Sequence, residues 1–223
     1  MPSGSAWDDE TAHLRRTFDA VADLYRARFT DELDTKTYDR ELLDDVGRRM
    51  APVAAETGAP VLEVGGGPGH IGARVAAQGA PVVVSDASAG QLREARVYDP
   101  DRPLVAADLA RLPVRPGGLA GIVAFYCLIY GDADLLDPVL AGWRRALAPG
   151  GLVLAAVHAG EGRVHVDDWM GRGVSITAVL RDPDDLVARF EGAGFTVTDR
   201  HLRPAYPDEH PTDRFYLVGV GYS

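Results

Sequence analysis

The chain has one cysteine, Cys127, among its 223 residues. A single thiol excludes an intrachain disulfide and any multi-cysteine metal site, and no metal is expected. Apolar residues nowhere run unbroken for the roughly 18–20 positions that a membrane helix needs. The first ten residues, Met1 to Glu10, are polar and acidic and lack the basic and apolar regions of a secretory signal. These absences predict a cytoplasmic protein without a membrane partner. Basic residues are also few, 23 Lys and Arg against 33 Asp and Glu, for a net charge of −10. Nucleic-acid enzymes carry basic stripes that neutralise phosphates. The bases here are scattered, so the expected partner is a small molecule and not DNA or RNA, with a homodimer left open.

Hydrophobic residues make up 46% of the sequence and charged ones 25%, enough for one globular domain over 1–223. Residues 1–10 read as a flexible tail and 11–50 as a helical cap. In the cap Leu14, Phe18, Val21 and Leu24 recur at helical spacing, as do Tyr38, Leu42 and Val46. Strands are then expected at Val61–Val64, Val82–Val84, Leu104–Ala106, Gly121–Ile129, Gly151–Val157, Phe195–Thr198 and Phe215–Val220. Helices fall between them: Ser88 and Gln91 form a capping-box pattern, Leu136 to Leu147 an apolar stripe, and Asp182-Pro183 a helix start. Alternation of this kind predicts an α/β fold, a Rossmann-like three-layer α/β/α sandwich with a seven-stranded, mostly parallel sheet. Only a proline-rich loop joins the last two strands, so the final strand should be antiparallel. Residues 158–181 read as a lid-like insertion.

The stretch Val61-Leu62-Glu63-Val64-Gly65-Gly66-Gly67-Pro68-Gly69-His70-Ile71-Gly72 carries the functional signal. Glycines after a first strand let the backbone turn tightly and approach a ligand in front of a helix N-terminus. Gly67, Gly69 and Gly72 satisfy the dinucleotide pattern G-x-G-x-x-G, whereas Glu63, Gly65, Gly67 and Gly69 satisfy E-x-G-x-G-x-G. Asp86 ends the second strand, where a carboxylate accepts both ribose hydroxyls in either cofactor class. Asp108 ends the third, where a carboxylate can take an adenine amino proton, and it favours a sulfonium nucleoside over a nicotinamide.

With those residues in place, the sequence resembles the class I S-adenosylmethionine-dependent methyltransferases over nearly its whole length. Further matches are Asp108-Leu109, Ala124-Phe125-Tyr126, Leu147-Ala148-Pro149-Gly150-Gly151 and Glu191-Gly192-Ala193-Gly194-Phe195. Phe18-Asp19-Ala20-Val21-Ala22-Asp23-Leu24-Tyr25 looks like the cap helix of small-molecule members, and 158–211 like a bacterial subgroup. Ala120 departs from the pattern, since many members carry Asp there. The resemblance implies S-adenosyl-L-methionine as cofactor. Gly65, Gly67 and Gly69 would pass beneath its methionine part, and Glu63 would act through the loop or the amino group. Asp86 and Ala87 would hold the ribose, Asp108 and the Leu109 backbone the adenine. Phe125 would line the site and Tyr25 close the cap.

Methyl transfer needs alignment above all, which can account for roughly 7–11 kcal/mol of a barrier, together with exclusion of water. Tyr126, Tyr130 and His158, at the ends of the fourth and fifth strands, are the catalytic candidates, with His158 the natural base. His165 and Trp169 are the substrate-contact candidates; His165 is equally a solvated loop residue, and Trp169 reads as a lid anchor ahead of a substrate platform. Cys127 reads as core, Asp132 and Asp134 as helix starters, Lys36 and Arg40 as surface charge, and His201 and His210 as surface loop. Three alternatives accompany methylation of an O or N atom in specialised metabolism. They are a nicotinamide-dependent oxidoreductase, a cyclase that uses the cofactor as a positive charge, and a non-catalytic binding module.

Overall fold

The computed structural model describes residues 4–221. Helices α1 (Gly4–Phe29) and α2 (Thr37–Thr57) come first. Then follow β1 (Val61–Val64), α3 (His70–Ala76), β2 (Val82–Asp86), α4 (Ala89–Tyr98), β3 (Leu104–Ala106), β4 (Leu119–Phe125), α5 (Leu136–Ala146) and β5 (Leu147–Ala159). A hairpin of β6 (Arg163–Val166) and β7 (Ile176–Val179) precedes α6 (Pro183–Gly192), β8 (Thr196–Arg203) and β9 (Asp213–Val220). The main sheet runs β3-β2-β1-β4-β5-β9-β8, and β9 is antiparallel to both neighbours. No described helix is long and apolar enough to cross a membrane.

Two apolar clusters cover the two faces of this sheet, because successive strand residues point to opposite sides. Leu62, Ile122, Val153 and Leu217 pack with Leu140 and Trp143 of α5 and Phe190 of α6. Val61, Val123, Leu154 and Val218 pack with Val46 and Met50 of α2 and Ile71 and Val75 of α3. Residues buried on both faces read as unbroken apolar runs, which is why most strands were legible from sequence. Strand order reverses between β1 and β4, and ligands bind at such a switch point beyond the carboxyl ends of the strands.

Several boundaries differ from expectation. Helix α1 already runs from Gly4, so most of the segment expected as a tail is helical; residues 1–3 lie outside those described. Adding residues to an established amphipathic helix costs far less than starting one. Strand β4 stops at Phe125, not Ile129: Tyr126 has φ 57° and the chain turns away. Cys127, Leu128 and Ile129 look like strand because they are buried, yet Arg181 satisfies the turn's carbonyls, donating to Leu128 (2.8 Å) and Gly131 (2.8 Å). Strand β5 begins at Leu147 and passes Pro149-Gly150 as an irregularity, Gly150 having φ 75°. Strand β8 continues to Arg203, since an exposed sheet edge shows no apolar alternation.

Beneath the turn after β1 lies Glu63, 1% exposed, with Oε2 unpaired. A Cβ on Gly72 would stand 2.3 Å from that oxygen, so the third glycine of the dinucleotide pattern is a packing requirement of this acid. Burial, and then the neighbouring Asp86, raise the Glu63 carboxyl to about 8, against the lowering effect of the Gly72 amide. A carboxyl raised on folding contributes stability below its unfolded value, and that contribution is lost as pH climbs through the folded value. Glu63→Gln should therefore leave the urea midpoint nearly unchanged at about pH 5 and raise it at about pH 8.5, by the equivalent of at least about 1 kcal/mol. Identical pH dependence in the two proteins would contradict a neutral buried acid here.

Candidate active site

Two cavities meet over the carboxyl ends of the central strands, one of about 100 Å³ and one of about 490 Å³. Tyr25, Tyr126 and Tyr130 belong to both walls. The floor of the first is the turn after β1. Gly65 (φ 60°) and Gly67 (φ 53°) hold left-handed conformations there. A Cβ on Gly65 would fall 2.6 Å from Cys127 Cβ; one on Gly67 would fall 3.4 Å from both Gln91 Oε1 and Tyr25. Side chains at these positions would fill the space that the bare backbone leaves.

Carboxylates close two sides of this cavity. Asp86 Oδ2 accepts the Gly67 amide (2.9 Å) and Oδ1 the Ser88 amide (2.8 Å). Burial still lifts Asp86 to about 6, with Asp19 adding to the rise and the amides opposing it. Asp108 Oδ1 accepts the Ala110 amide (2.9 Å), and Oδ2 faces the Thr11 hydroxyl of α1 (3.4 Å). The Leu109 carbonyl accepts Trp143 Nε1–H at 2.8 Å, so the core side of α5 fixes the loop after β3. Phe125 ends β4 beside them.

Helix α1 roofs the cavity. Asp19 Oδ1 accepts the Gly90 amide and the Ser88 hydroxyl, each at 2.6 Å, at the start of α4. Arg26 pairs with Glu94 at 2.6 Å one turn further on. These ties carry Phe18 and Tyr25 over the glycine turn, where Phe18 meets Tyr25, Tyr130 and Trp169 edge-on at 5.2–5.8 Å.

The second cavity lies between the β6–β7 hairpin, Trp169, the turn after α1 and the loop before β9. His158 is at its base, with Nδ1 2.8 Å from the Thr212 hydroxyl. Burial, reinforced by Arg214 and His210, lowers the imidazole to about 4. The Tyr126 hydroxyl turns inward to Tyr216 (3.1 Å), which donates to buried Asp39. Burial pushes both Tyr126 and Tyr130 well above the ordinary phenol range. None of the three has a pKa matched to proton removal near neutrality.

Of the residues expected to hold a cofactor, Tyr25, Gly65, Gly67, Asp86, Ala87, Asp108, Leu109 and Phe125 line the first cavity. Glu63 and Gly69 do not: both lie below the turn, Gly69 heading α3 with φ 83° and Val84 3.1 Å from its would-be Cβ. Trp169 and His158 line the second cavity. His165 lines neither. Strand alternation sends Val164 and Val166 inward and His165 out, half-exposed, to Thr177 (2.7 Å) and Asp167 (3.2 Å). Lys36 is not surface charge but 8% exposed, bound to Glu32 and 3.6 Å from Glu209. His210 lines the second cavity, whereas His201 stacks on Tyr38 at 4.2 Å, away from it. Asp132 caps no helix with its side chain and pairs with Arg163 of the hairpin. Phe18 and Gln91 were missed as wall residues; their helical spacing marked them as core and cap, and only the tertiary docking of α1 shows more. Gln91 is fully buried, with Oε1 unpaired beside Gly67.

Residues 61–151 match a family model described as a methyltransferase domain. A malonyl-[acyl-carrier protein] O-methyltransferase of Xylella fastidiosa is 30% identical over 154 residues, covering 66% of this chain. The chain spans only 49% of that relative's length. Among solved structures, the DhpI–SAH complex superposes with a TM-score of 0.69 at 21% identity, covering 95% of this chain and 97% of that one. The magnesium protoporphyrin IX methyltransferase of Synechocystis PCC 6803, with bound SAM, gives 0.65 at 17% identity, covering 96% and 97%. Residues 61–151 thus match a methyltransferase domain, and the glycine turn, the carboxylates ending β2 and β3 and the reversed β9 belong to a Rossmann-like fold shared with these solved methyltransferase structures.

Proposed function

We propose that this chain transfers a methyl group from S-adenosylmethionine to an O or N atom of a small biosynthetic molecule. The carrying observation is the pair of cavities joined at Tyr25, Tyr126 and Tyr130, one furnished for a nucleoside and the other enclosed by a hairpin. The donor set fits the cofactor. Asp86 offers carboxylate oxygens to ribose hydroxyls, Asp108 to an adenine amino group, and Gly65 and Gly67 leave room for the chain beyond. The unpaired, buried Gln91 Oε1 beside Gly67 is a further acceptor waiting for a donor. When bound, the cofactor supplies a methyl group on a positively charged sulfur.

The protein's part is orientation and water exclusion. Phe18, Tyr25, Tyr130 and Trp169 meet where the cavities join, and aromatic faces favour a nearby cation by roughly 0.5–2 kcal/mol. Arg172 pairs with Asp23 (2.7 Å) and Thr17 donates to the Ser175 carbonyl (3.3 Å), so the 158–181 segment is clasped to α1 over the junction. The named relatives support a small or carrier-borne biosynthetic acceptor, one acting on a malonyl-carrier substrate and one on a magnesium porphyrin.

Two measurements test this reading. Asp86→Ala and Asp108→Ala should each weaken binding of S-adenosylhomocysteine about 10- to 100-fold by calorimetry, the worth of hydrogen bonds to a charged group. Because ribose hydroxyls donate to the ionised carboxylate, wild-type affinity should fall as pH drops through about 6, and Asp86→Ala should flatten that fall. Undiminished affinity in both variants would remove the assignment. Incubation with methyl-labelled cofactor and a small-molecule extract should then place label in an organic product. Tight cofactor binding with no transfer to any acceptor would instead favour the binding-module alternative.

A further inference from the structure

The second cavity's walls divide by chemistry. Val164 and Val166 of β6 and Ile176 and Ala178 of β7 present one apolar face, since alternate residues of a two-stranded ribbon share a side. Opposite them stand the rings of Phe29, Tyr130 and Trp169. The buried charges in the remaining wall close on one another. Lys36 lies between Glu32 and Glu209, and Glu209 also takes Arg203 (2.7 Å) and Arg214 (3.7 Å). Glu32 is further engaged by His70 Nε2 at 2.8 Å. Arg28, Asp31 and Asp208 stand exposed at the mouth. An ionic ligand entering this space would lose water without gaining an unpaired buried counter-charge.

The wall also carries uncharged polar groups, among them His158 and Thr212. Thr212 Oγ1 accepts Arg214 Nη1–H at 2.8 Å and lies 2.8 Å from His158 Nδ1. With the Thr212 hydroxyl donating to that Nδ1, the ring hydrogen sits on Nε2. Arg214 beside the ring also opposes a second proton. In that tautomer His158 presents an N–H to the cavity.

Resting on the methyltransferase reading above, we propose that the second cavity takes a neutral, planar aromatic acceptor whose carbonyl oxygen or ring nitrogen accepts a hydrogen bond from His158 Nε2. The hairpin valines and the facing rings hold the planar body, and the internally paired charges reject ions.

The test is calorimetric titration of protein saturated with S-adenosylhomocysteine, at neutral pH, with quinoline, naphthalene, 2-naphthoate and 2-naphthylmethylammonium. Quinoline should bind at least about fivefold more tightly than naphthalene, for one buried hydrogen bond, and at least about tenfold more tightly than either ion. His158→Phe should erase the difference between quinoline and naphthalene. Val164→Asp, on the half-exposed hairpin, should weaken both at least about tenfold. Both variants should keep S-adenosylhomocysteine affinity within about twofold, which also certifies their fold. Equal or tighter binding of an ion, equal binding of quinoline and naphthalene to wild type, or no aromatic binding to the saturated protein would each overturn the proposal. Failure of S-adenosylhomocysteine itself to bind would overturn the cofactor assignment instead, and the same probes on the free protein would then judge the cavity alone.

Discussion

At the carboxyl end of β1 a backbone without side chains has to pass between a buried acid below and a ligand cavity above. Glu63 presses on it from beneath, where Gly66 and Gly72 leave space for its carboxyl group. Cys127 and Tyr25 press from above, where Gly65 and Gly67 leave space. The turn is held in this gap by the Gly66 amide on the Ser85 carbonyl (2.9 Å) and by a bond from the Gly67 amide to Asp86 (2.9 Å), at the end of the adjacent strand. Because β1 and β2 pair in register from Val61–Val82 to Val64–Ser85, the bond also sets the height of Asp86 relative to the turn. Cofactor floor and ribose acid are thus placed by one geometry, and the rest of the site is built outward from it.

The roof depends on a separate set of contacts. Asp19 occupies the amide and hydroxyl donors at the start of α4, and Gly90 is there because Asp19 Cα would stand 2.9 Å from a side chain. That docking brings Phe18 and Tyr25 against Trp169 from the distant insertion. Arg181 performs the equivalent task on the opposite side. Its guanidinium is buried on three carbonyls of the turn after β4, and burial lowers it to about 10. Arg181 thus ties the root of the hairpin to the turn bearing Tyr126 and Tyr130.

Local sequence rules made much of this legible. Glycine spacing, acids ending β2 and β3, and apolar runs of strand length marked the sheet, its reversed last pair and the nucleoside side of the crevice. What escaped them depends on distant contacts. Lys36 looks like an ordinary surface cation until Glu32 and Glu209 close around it from two other segments. His165 fails as a ligand contact because β6 was not recognised as a strand, so its outward phase was unreadable. Tyr126 was placed on a strand that ends just before it, because apolar burial resembles strand when an arginine from elsewhere serves the carbonyls. His158 stands at the base of the second cavity, and the Thr212 and Arg214 side chains behind it are contacts that no local pattern reveals.

Hydrogen–deuterium exchange with and without S-adenosylhomocysteine tests the central placement most directly, since it reports backbone amides segment by segment. The account predicts slowed exchange in residues 64–69, 86–91 and 107–110, and in the roof helix at 14–25, with little change in the hairpin at 163–179. Protection confined to the hairpin and the loop before β9, with the glycine turn exchanging as it does in the free protein, would contradict it.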